Sequence, residues 1–184
     1  RRQFGAVDNT VYLPMKTAVL CPGPSLSQTF KTRDAYAAVA GVNRAVHRAP
    51  CDVWVSLDPS PIEAIPLQWF TTENTIHNLQ ASGRLFRGGK LSTVEATFEQ
   101  IPSDMGGACW DSFSSTAALV SMFLRGAKSI DVYGYDGTNA PDFDGAALHS
   151  NQRGADRWAN EAHVWEVVTK WLSDRGCEVR RITP

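Results

Sequence analysis

Short apolar runs, each ending at a polar or glycine-rich corner, recur along this chain. Residues 17–21 (TAVLC) are apolar at successive positions, as strands buried on both faces of a parallel sheet are. Similar runs cover 35–42 (AYAAVAGV) and 52–57 (DVWVSL). A more alternating run, rich in β-forming residues, covers 129–134 (SIDVYG). Each run predicts a strand that leads directly into a loop.

Two stretches have the pattern of helices. Residues 112–125 begin with serine and are nearly all apolar afterwards, which predicts a buried helix, and Gly126 is a typical residue to end it. Near the end of the chain, apolar side chains recur at helical spacing at Trp158, Ala162, Trp165, Val168 and Leu172, widened by Val164 and Trp171. Gly176 ends this helix, and 177–183 (CEVRRIT) predict a terminal strand.

The remaining segments are less regular. Residues 61–70 predict a short helix, and 75–79 and 83–89 (GRLFRGG) predict short strands. Residues 135–155 form a long polar loop, and loops of this length within compact domains are usually functional or disordered.

The alternation of strands and helices predicts an α/β fold with a mainly parallel sheet flanked by helices. A length of 184 residues favours a single domain that spans 1–184. The net charge of -1 gives no electrostatic reason to expect a nucleic-acid partner. The longest apolar stretch, 117–124, is too short to span a bilayer.

The four cysteines are far apart in the chain, at Cys21, Cys51, Cys109 and Cys177, with no C-x-x-C pair. This spacing predicts small core residues in a reducing compartment rather than disulfides or metal ligands. We therefore expect a cytoplasmic protein.

Four predicted strands end in glycine, proline or polar residues that could contact a ligand. These ends are Pro22-Gly23-Pro24-Ser25, Asn43-Arg44, Asp58-Pro59 and Gly134-Tyr135-Asp136. Ligands of doubly wound sheets bind at the carboxyl ends of the strands, so these corners predict a ligand site. Gly23 would let a ligand approach the backbone, and Ser25 would cap a short helix whose first N–H groups favour phosphate. A tight turn followed by an ordinary helix cap explains the same residues equally well. A complete G-x-G-x-x-G is absent, which argues against an NAD site.

Three further groups are candidates for chemistry. Ser114, Ser115 and Thr116 open the buried helix and offer hydroxyls to a phosphate, or simply cap the helix. Asp136, Asp142 and Asp144 include a D-x-D pattern that predicts a divalent-metal site, although aspartates in such loops also form turns.

The third candidate is His149, in the segment ALHSNQRGAD between the polar loop and the last helix. An imidazole there could act as a general base near neutral pH. A histidine with no catalytic role is the other interpretation.

The order of these segments resembles a known family. The segments are AVLCPGPSL, VNR, VWVSLDPS, SSTAALVSMFLRGAKSIDVYGYD and LHSNQRGAD. Together they resemble the bacterial lipooligosaccharide sialyltransferases of glycosyltransferase family 42. They are also similar to the related domain of motility-accessory glycosyltransferases and archaeal hydroxymethylpterin pyrophosphokinases. The resemblance runs from about residue 17 to the end of the chain, with a weakly matched middle at 61–111.

The resemblance implies a Rossmann-like domain that binds a cytidine nucleotide and needs no metal. Its implied nucleotide-binding residues are Gly23, Pro24, Ser25, Asn43, Asp58, Ser114, Ser115, Gly134, Asp136 and Thr138. Asn43 would contact the phosphate or ribose, and His149 matches the histidine proposed as general base. Asp58 stands where the sialyltransferases have asparagine, Pro22 replaces another asparagine, and Thr138 replaces a phosphate-binding tyrosine. Because of these departures, sialic acid is not predicted as the donor sugar.

The leading hypothesis is a glycosyltransferase that uses a nucleotide-activated sugar as substrate, with a CMP-linked sugar as one candidate donor and no firmly implied cofactor. One alternative is a metal-dependent pyrophosphokinase or other phosphotransferase acting on a small heterocycle, with Asp136, Asp142 and Asp144 as ligands. A non-catalytic nucleotide-binding protein is the other. The sequence does not identify the acceptor.

Overall fold

The computed structural model describes residues 15–56, 75–79, 85–87, 105–145 and 154–184. Seven strands in these ranges form one sheet: β1 (Met15–Leu20), β2 (Ala38–Val42), β3 (Val53–Ser56), β4 (Thr75–Leu79), β5 (Leu85–Arg87), β6 (Ala127–Tyr133) and β7 (Glu178–Ile182). Their order is β5-β4-β3-β2-β1-β6-β7, and only the β4–β5 pair is antiparallel. The predicted α/β fold with a mainly parallel sheet is confirmed.

The strand order reverses at β1. On one side of β1 the strands follow in the order β2, β3, β4. On its other side lie β6 and then β7. In register, Leu20 at the end of β1 pairs with Gly41 of β2 and with Tyr133 of β6. The loops after β1 and β6 therefore leave the same edge of the sheet at the point of reversal.

Helices cover both faces of this sheet. They are α1 (Leu26–Thr29), α2 (Ser114–Leu124) and α3 (Ala155–Ser173), with short 3-10 helices at Asn43–His47 and Trp110–Ser112. Along β1, Val19 packs in the cluster that contains α2 and α3, whereas Ala18 and Leu20 pack on the opposite face with α1. Since both faces of β1 are buried over 18–20, its residues there are apolar at successive positions, as the sequence indicated.

Most predicted elements are confirmed with shifted ends. The helix predicted at 112–125 is shorter, and Gly126 follows it with φ +93°, the left-handed conformation expected after a helix end. The strand predicted at 35–42 begins only at Ala38. The helix predicted at 61–70 lies outside the described residues. No helix in the described ranges is long and apolar enough to cross a bilayer.

The four cysteines are all free, and Cys21, Cys51 and Cys177 are buried as predicted. Cys109 is exposed, so for this residue the prediction of a core position is wrong. It precedes the 3-10 helix at Trp110–Ser112, where Trp110 occupies the buried position instead.

Asp131 of β6 is a buried carboxylate with a complete set of partners. It is 2% exposed, and its Oδ1 accepts hydrogen bonds from Arg180 while its Oδ2 accepts one from the Tyr36 hydroxyl at 2.8 Å. Lys16 Nζ lies 3.1 Å from Oδ2. Burial alone would raise the pKa of Asp131, but hydrogen bonds from Tyr36, Lys16 and Arg180 outweigh it and hold the pKa below its ordinary value. The network joins β6 to both β1 and β7.

We expect Asp131→Asn to lower the free energy of unfolding by about 2–3 kcal/mol near neutral pH, because hydrogen bonds to a charged group are lost. Since the folded-state pKa is depressed, the stabilisation by the carboxylate is complete above its unfolded-state pKa of about 4. It is lost as the pH falls through the folded-state pKa. Urea unfolding of both proteins between neutral and acidic pH tests this. A difference between them that does not shrink below about pH 4 would contradict the assignment.

Candidate functional site

A hollow of about 150 Å³ lies at the edge of the sheet where the strand order reverses. The loops after β1 and β6, the end of β2 and the first turns of α2 and α3 all contribute to its lining. Eight residues predicted to bind a nucleotide line it: Gly23, Pro24, Asn43, Ser114, Ser115, Gly134, Asp136 and Thr138. These residues come from four separate segments, so the expected convergence of strand ends is present.

The other predicted residues are placed differently. Ser25 is buried beside Asp136 and is absent from the lining of the hollow. Asp58 and His149 lie outside the described residues.

Ser25 joins the β1 loop to the β6 loop. Its backbone N–H donates to Asp136 Oδ2 at 2.8 Å, and its hydroxyl donates to Asp136 Oδ1 at 2.6 Å. The side chain makes no capping hydrogen bond to α1, and its backbone is helical at φ −68° and ψ −15°. The prediction that Ser25 caps the helix is therefore wrong, because its hydroxyl is used between loops.

The Pro-Gly-Pro-Ser corner does not offer the free N–H groups expected at the start of α1. Pro22 and Pro24 have no N–H. The N–H of Gly23 donates to the Gly134 carbonyl at 2.9 Å, that of Ser25 donates to Asp136, and that of Leu26 donates to the Gly23 carbonyl at 3.1 Å. A phosphate in the hollow would have to find its donors elsewhere.

Gly23 and Gly134 allow the two loops to pack together. A Cβ at Gly23 would lie 2.5 Å from Asp136 Oδ2 and inside contact distance of the Gly134 carbonyl oxygen. A Cβ at Gly134 would meet the Cys21 carbonyl oxygen, and its φ of +67° is left-handed. The close approach predicted for Gly23 thus exists, but its partner is the β6 loop of the protein rather than a ligand.

The first turn of α2 faces the hollow without a side-chain cap. Its N-cap residue is Phe113, which cannot accept a hydrogen bond through its side chain. The Ser115 hydroxyl donates to Glu161 Oε1 at 3.2 Å, and the Thr116 hydroxyl donates to the Trp110 carbonyl at 2.7 Å. Because these hydroxyls bond elsewhere, they do not cap the helix. An eleven-residue helix whose N-cap residue makes no side-chain hydrogen bond is a favourable place for an anion.

The three aspartates of the predicted metal site are not brought together. Asp136 accepts from Ser25, whereas Asp142 and Asp144 both pair with Arg44, Asp142 at 3.7 Å from Arg44 Nε. Within the described residues there is no group of three or more His, Cys, Asp or Glu side chains that could hold a metal ion. The D-x-D pattern here forms ion pairs that fasten the β6 loop to the end of β2.

Glu161 and Arg157 of α3 also line the hollow, and sequence reasoning missed both. Glu161 is only 8% exposed, and Arg157 Nη2 lies 3.8 Å from its Oε2. The Arg157 guanidinium also lies 4.1 Å from the centroid of the Phe113 ring. The hollow therefore contains a positive and a negative group beside the start of α2.

Tyr135 completes this side of the hollow. Its ring stacks on Trp165 at a centroid distance of 4.1 Å, and its hydroxyl donates to the Glu161 carbonyl at 3.4 Å. Burial, followed by the negative charge of Glu161, raises the pKa of Tyr135 far above its ordinary value. The Tyr135 hydroxyl therefore remains protonated at neutral pH.

A sequence signal for Glu161 existed. The buried positions of α3 are Glu161, Val164, Val168 and Leu172, which recur at helical spacing. The predicted stripe included Ala162, which is exposed. A charged residue in register with the buried apolar face indicates either a buried ion pair or a functional group.

Fold and site together define a single α/β domain with a doubly wound sheet and a polar hollow at its switch point. Comparisons of the chain with protein-family models, with curated proteins and with solved structures find no match.

We expect Gly23→Ala to lower the free energy of unfolding by about 2–3 kcal/mol, since the added methyl group overpacks the junction between the two loops. Gly154→Ala is the control, because a Cβ there meets open space and its φ of −67° suits any residue. The control loses less than about 1 kcal/mol, the effect of replacing a helix N-cap glycine. Chemical denaturation measures both, and equal losses would contradict the close approach of the loops.

Proposed function

We propose that this protein is a glycosyltransferase that binds the nucleotide of an activated sugar donor in the hollow between β1 and β6. The supporting observation is that residues from four separate segments share one hollow at the switch point of a parallel sheet. Ligands of doubly wound folds bind at this position. The resemblance of the ordered motifs to sialyltransferase-like enzymes supplies the reaction class.

The donor phosphate would bind at the start of α2. Ser114 and Ser115 in the first turn line the hollow, and Arg157 adds a positive charge. The start of α1 is a poor alternative, because the N–H groups of Gly23, Ser25 and Leu26 are already used. This moves the proposed phosphate position from the Pro-Gly-Pro-Ser corner to the neighbouring helix.

The size of the hollow limits what it can enclose. About 150 Å³ is less than the roughly 300–1,000 Å³ of typical small-molecule sites. The described residues therefore enclose less space than a complete nucleotide-sugar donor needs, and we assign them to its phosphate and adjoining sugar. Trp158 provides an aromatic side chain along the same lining, whereas the Tyr135 ring already contacts Trp165 and Arg181.

In the proposed reaction an acceptor hydroxyl oxygen attacks the anomeric carbon of the donor. The bond from that carbon to the phosphate oxygen breaks, and the nucleotide leaves with the bonding electrons. His149 would accept the proton of the attacking hydroxyl. The uncapped start of α2 and Arg157 would stabilise the negative charge on the departing phosphate.

Cytidine monophosphate should raise the melting temperature without added magnesium, and should do so more than cytidine at equal concentration. At about 100 times the dissociation constant, binding adds about 2.7 kcal/mol to the free energy of unfolding. In Arg157→Ala, the melting-temperature increase caused by the nucleotide should exceed that caused by the nucleoside by much less than in the wild type. Arg175→Ala is the matched control, because Arg175 also lies on an aromatic ring, that of Trp171, but beyond the far end of α3.

The same thermal-shift panel separates the rival functions. If no nucleotide raises the melting temperature, the proposal is wrong. Binding or activity that is abolished by a chelator would favour a metal-dependent phosphotransferase instead. Binding without turnover of any sugar nucleotide would indicate a non-catalytic nucleotide-binding protein.

His149→Ala should reduce turnover of the sugar nucleotide by about 100-fold or more while leaving nucleotide affinity nearly unchanged. His163→Ala, at an exposed position of α3, is the control and should keep wild-type turnover. Donor hydrolysis or transfer, measured by release of the nucleotide, gives the rate. Undiminished turnover in His149→Ala would remove the general-base assignment.

A further inference from the structure

We propose that Glu161 accepts a hydrogen bond from a ribose hydroxyl of the bound nucleotide, so that the site selects ribonucleotides over 2′-deoxyribonucleotides. This inference rests on the proposed function and identifies the class of nucleotide. It assigns a ligand contact to α3, a helix for which the sequence predicted only a packing role.

Glu161 has one satisfied and one unsatisfied carboxylate oxygen. Oε1 accepts from the Ser115 hydroxyl at 3.2 Å. Oε2 is buried and accepts no hydrogen bond from the described residues, since Arg157 Nη2 at 3.8 Å is too far to donate. Buried carboxylate oxygens are nearly always hydrogen-bonded, because removal from water without a new donor is unfavourable. Because Glu161 lines the hollow, we take a ligand bound there as the source of the missing donor.

Asn43 provides a second acceptor at the same hollow. Its Oδ1 is buried and accepts no hydrogen bond from the described residues. Its backbone has φ +48°, the left-handed conformation that asparagine adopts more readily than most residues, and this turn places it at the end of β2. Glu161 Oε2 and Asn43 Oδ1 both lack a donor, so a ligand that satisfies both must carry at least two hydrogen-bond donors.

Of the parts of a nucleotide, the ribose fits this requirement best. An ionised phosphate has no donor and would be repelled by the Glu161 carboxylate, so Glu161 is not a phosphate contact. The ribose carries two neighbouring hydroxyls only a few bonds from the phosphate. Glu161 contacts Ser115 in the first turn of α2, where the phosphate is proposed to bind. Acidic side chains bind ribose hydroxyls in the same way in dinucleotide-binding folds.

The test compares dissociation constants for cytidine monophosphate and its 2′-deoxy analogue by calorimetry. The wild type should bind the ribonucleotide about 10-fold more tightly or better, because a site built to bond a hydroxyl rejects the analogue that lacks it. Glu161→Ala should bring the two constants within about twofold. Glu166→Ala, at an exposed position of α3, should keep the wild-type ratio.

A second variant distinguishes a ligand contact of Glu161 from misfolding of the Ala variant and from a purely structural role. Glu161→Gln keeps the shape of the side chain but removes its charge. If Glu161 binds a ligand, the unliganded Gln variant should melt no lower than the wild type, because a neutral amide replaces a buried carboxylate that has one oxygen without a hydrogen-bond donor. Its preference for the ribonucleotide should still fall several-fold. A lower melting temperature with an unchanged preference would assign Glu161 to folding and overturn the inference.

The remaining outcomes are distinguishable. If the wild type binds ribonucleotide and deoxyribonucleotide equally, the inference fails and the proposed function stands. The same conclusion follows if the preference persists in Glu161→Ala. If neither nucleotide binds the wild type, the proposed function fails and the inference fails with it.

Discussion

The candidate site depends on the junction between the loops that follow β1 and β6. The backbone bond from Gly23 to Gly134 and the two bonds from Ser25 to Asp136 hold these loops side by side at the switch point. The Phe143 N–H also donates to the Pro22 carbonyl at 2.9 Å, and Arg44 pairs with Asp142 and Asp144 of the β6 loop. These contacts together shape the floor of the hollow. Its two glycines are required because any Cβ there would enter the space of the opposite loop.

Two buried carboxylates in this molecule show how differently the same group can be used. Asp131 is surrounded by Arg180, Lys16 and Tyr36, so its charge is compensated and it links three strands. Glu161 retains an oxygen with no hydrogen bond, although Ser115 satisfies the other. A buried carboxylate with hydrogen-bond donors at both oxygens is compatible with a structural role, whereas one with a donor at a single oxygen is destabilising unless a ligand supplies the second. This contrast is the basis for assigning the two residues different roles.

The fold was predictable because its signals are local and repeated. Buried parallel strands are apolar at successive positions, so β1 and β3 could be recognised from 17–21 and 52–57 alone. The face of α3 was less predictable. Aromatic and small residues at several neighbouring positions allowed more than one stripe, and the structure buries Glu161 where the sequence favoured Ala162. Packing against the sheet and α2 selects the face, and a helix alone does not contain that information.

By itself the sequence determined the α/β architecture and which strand ends carry polar chemistry, because both follow from patterns within a few adjacent residues. Tertiary structure decided the partners of those polar groups. Ser25 bonds Asp136 across 111 positions of sequence, and Arg44 pairs with Asp144 across 100. The first contact replaces the predicted helix cap, and the second separates two aspartates that local reasoning had grouped as alternative metal ligands. A side chain has few hydrogen-bonding positions, and which of them remain for a ligand depends on neighbours that only the folded chain brings into contact.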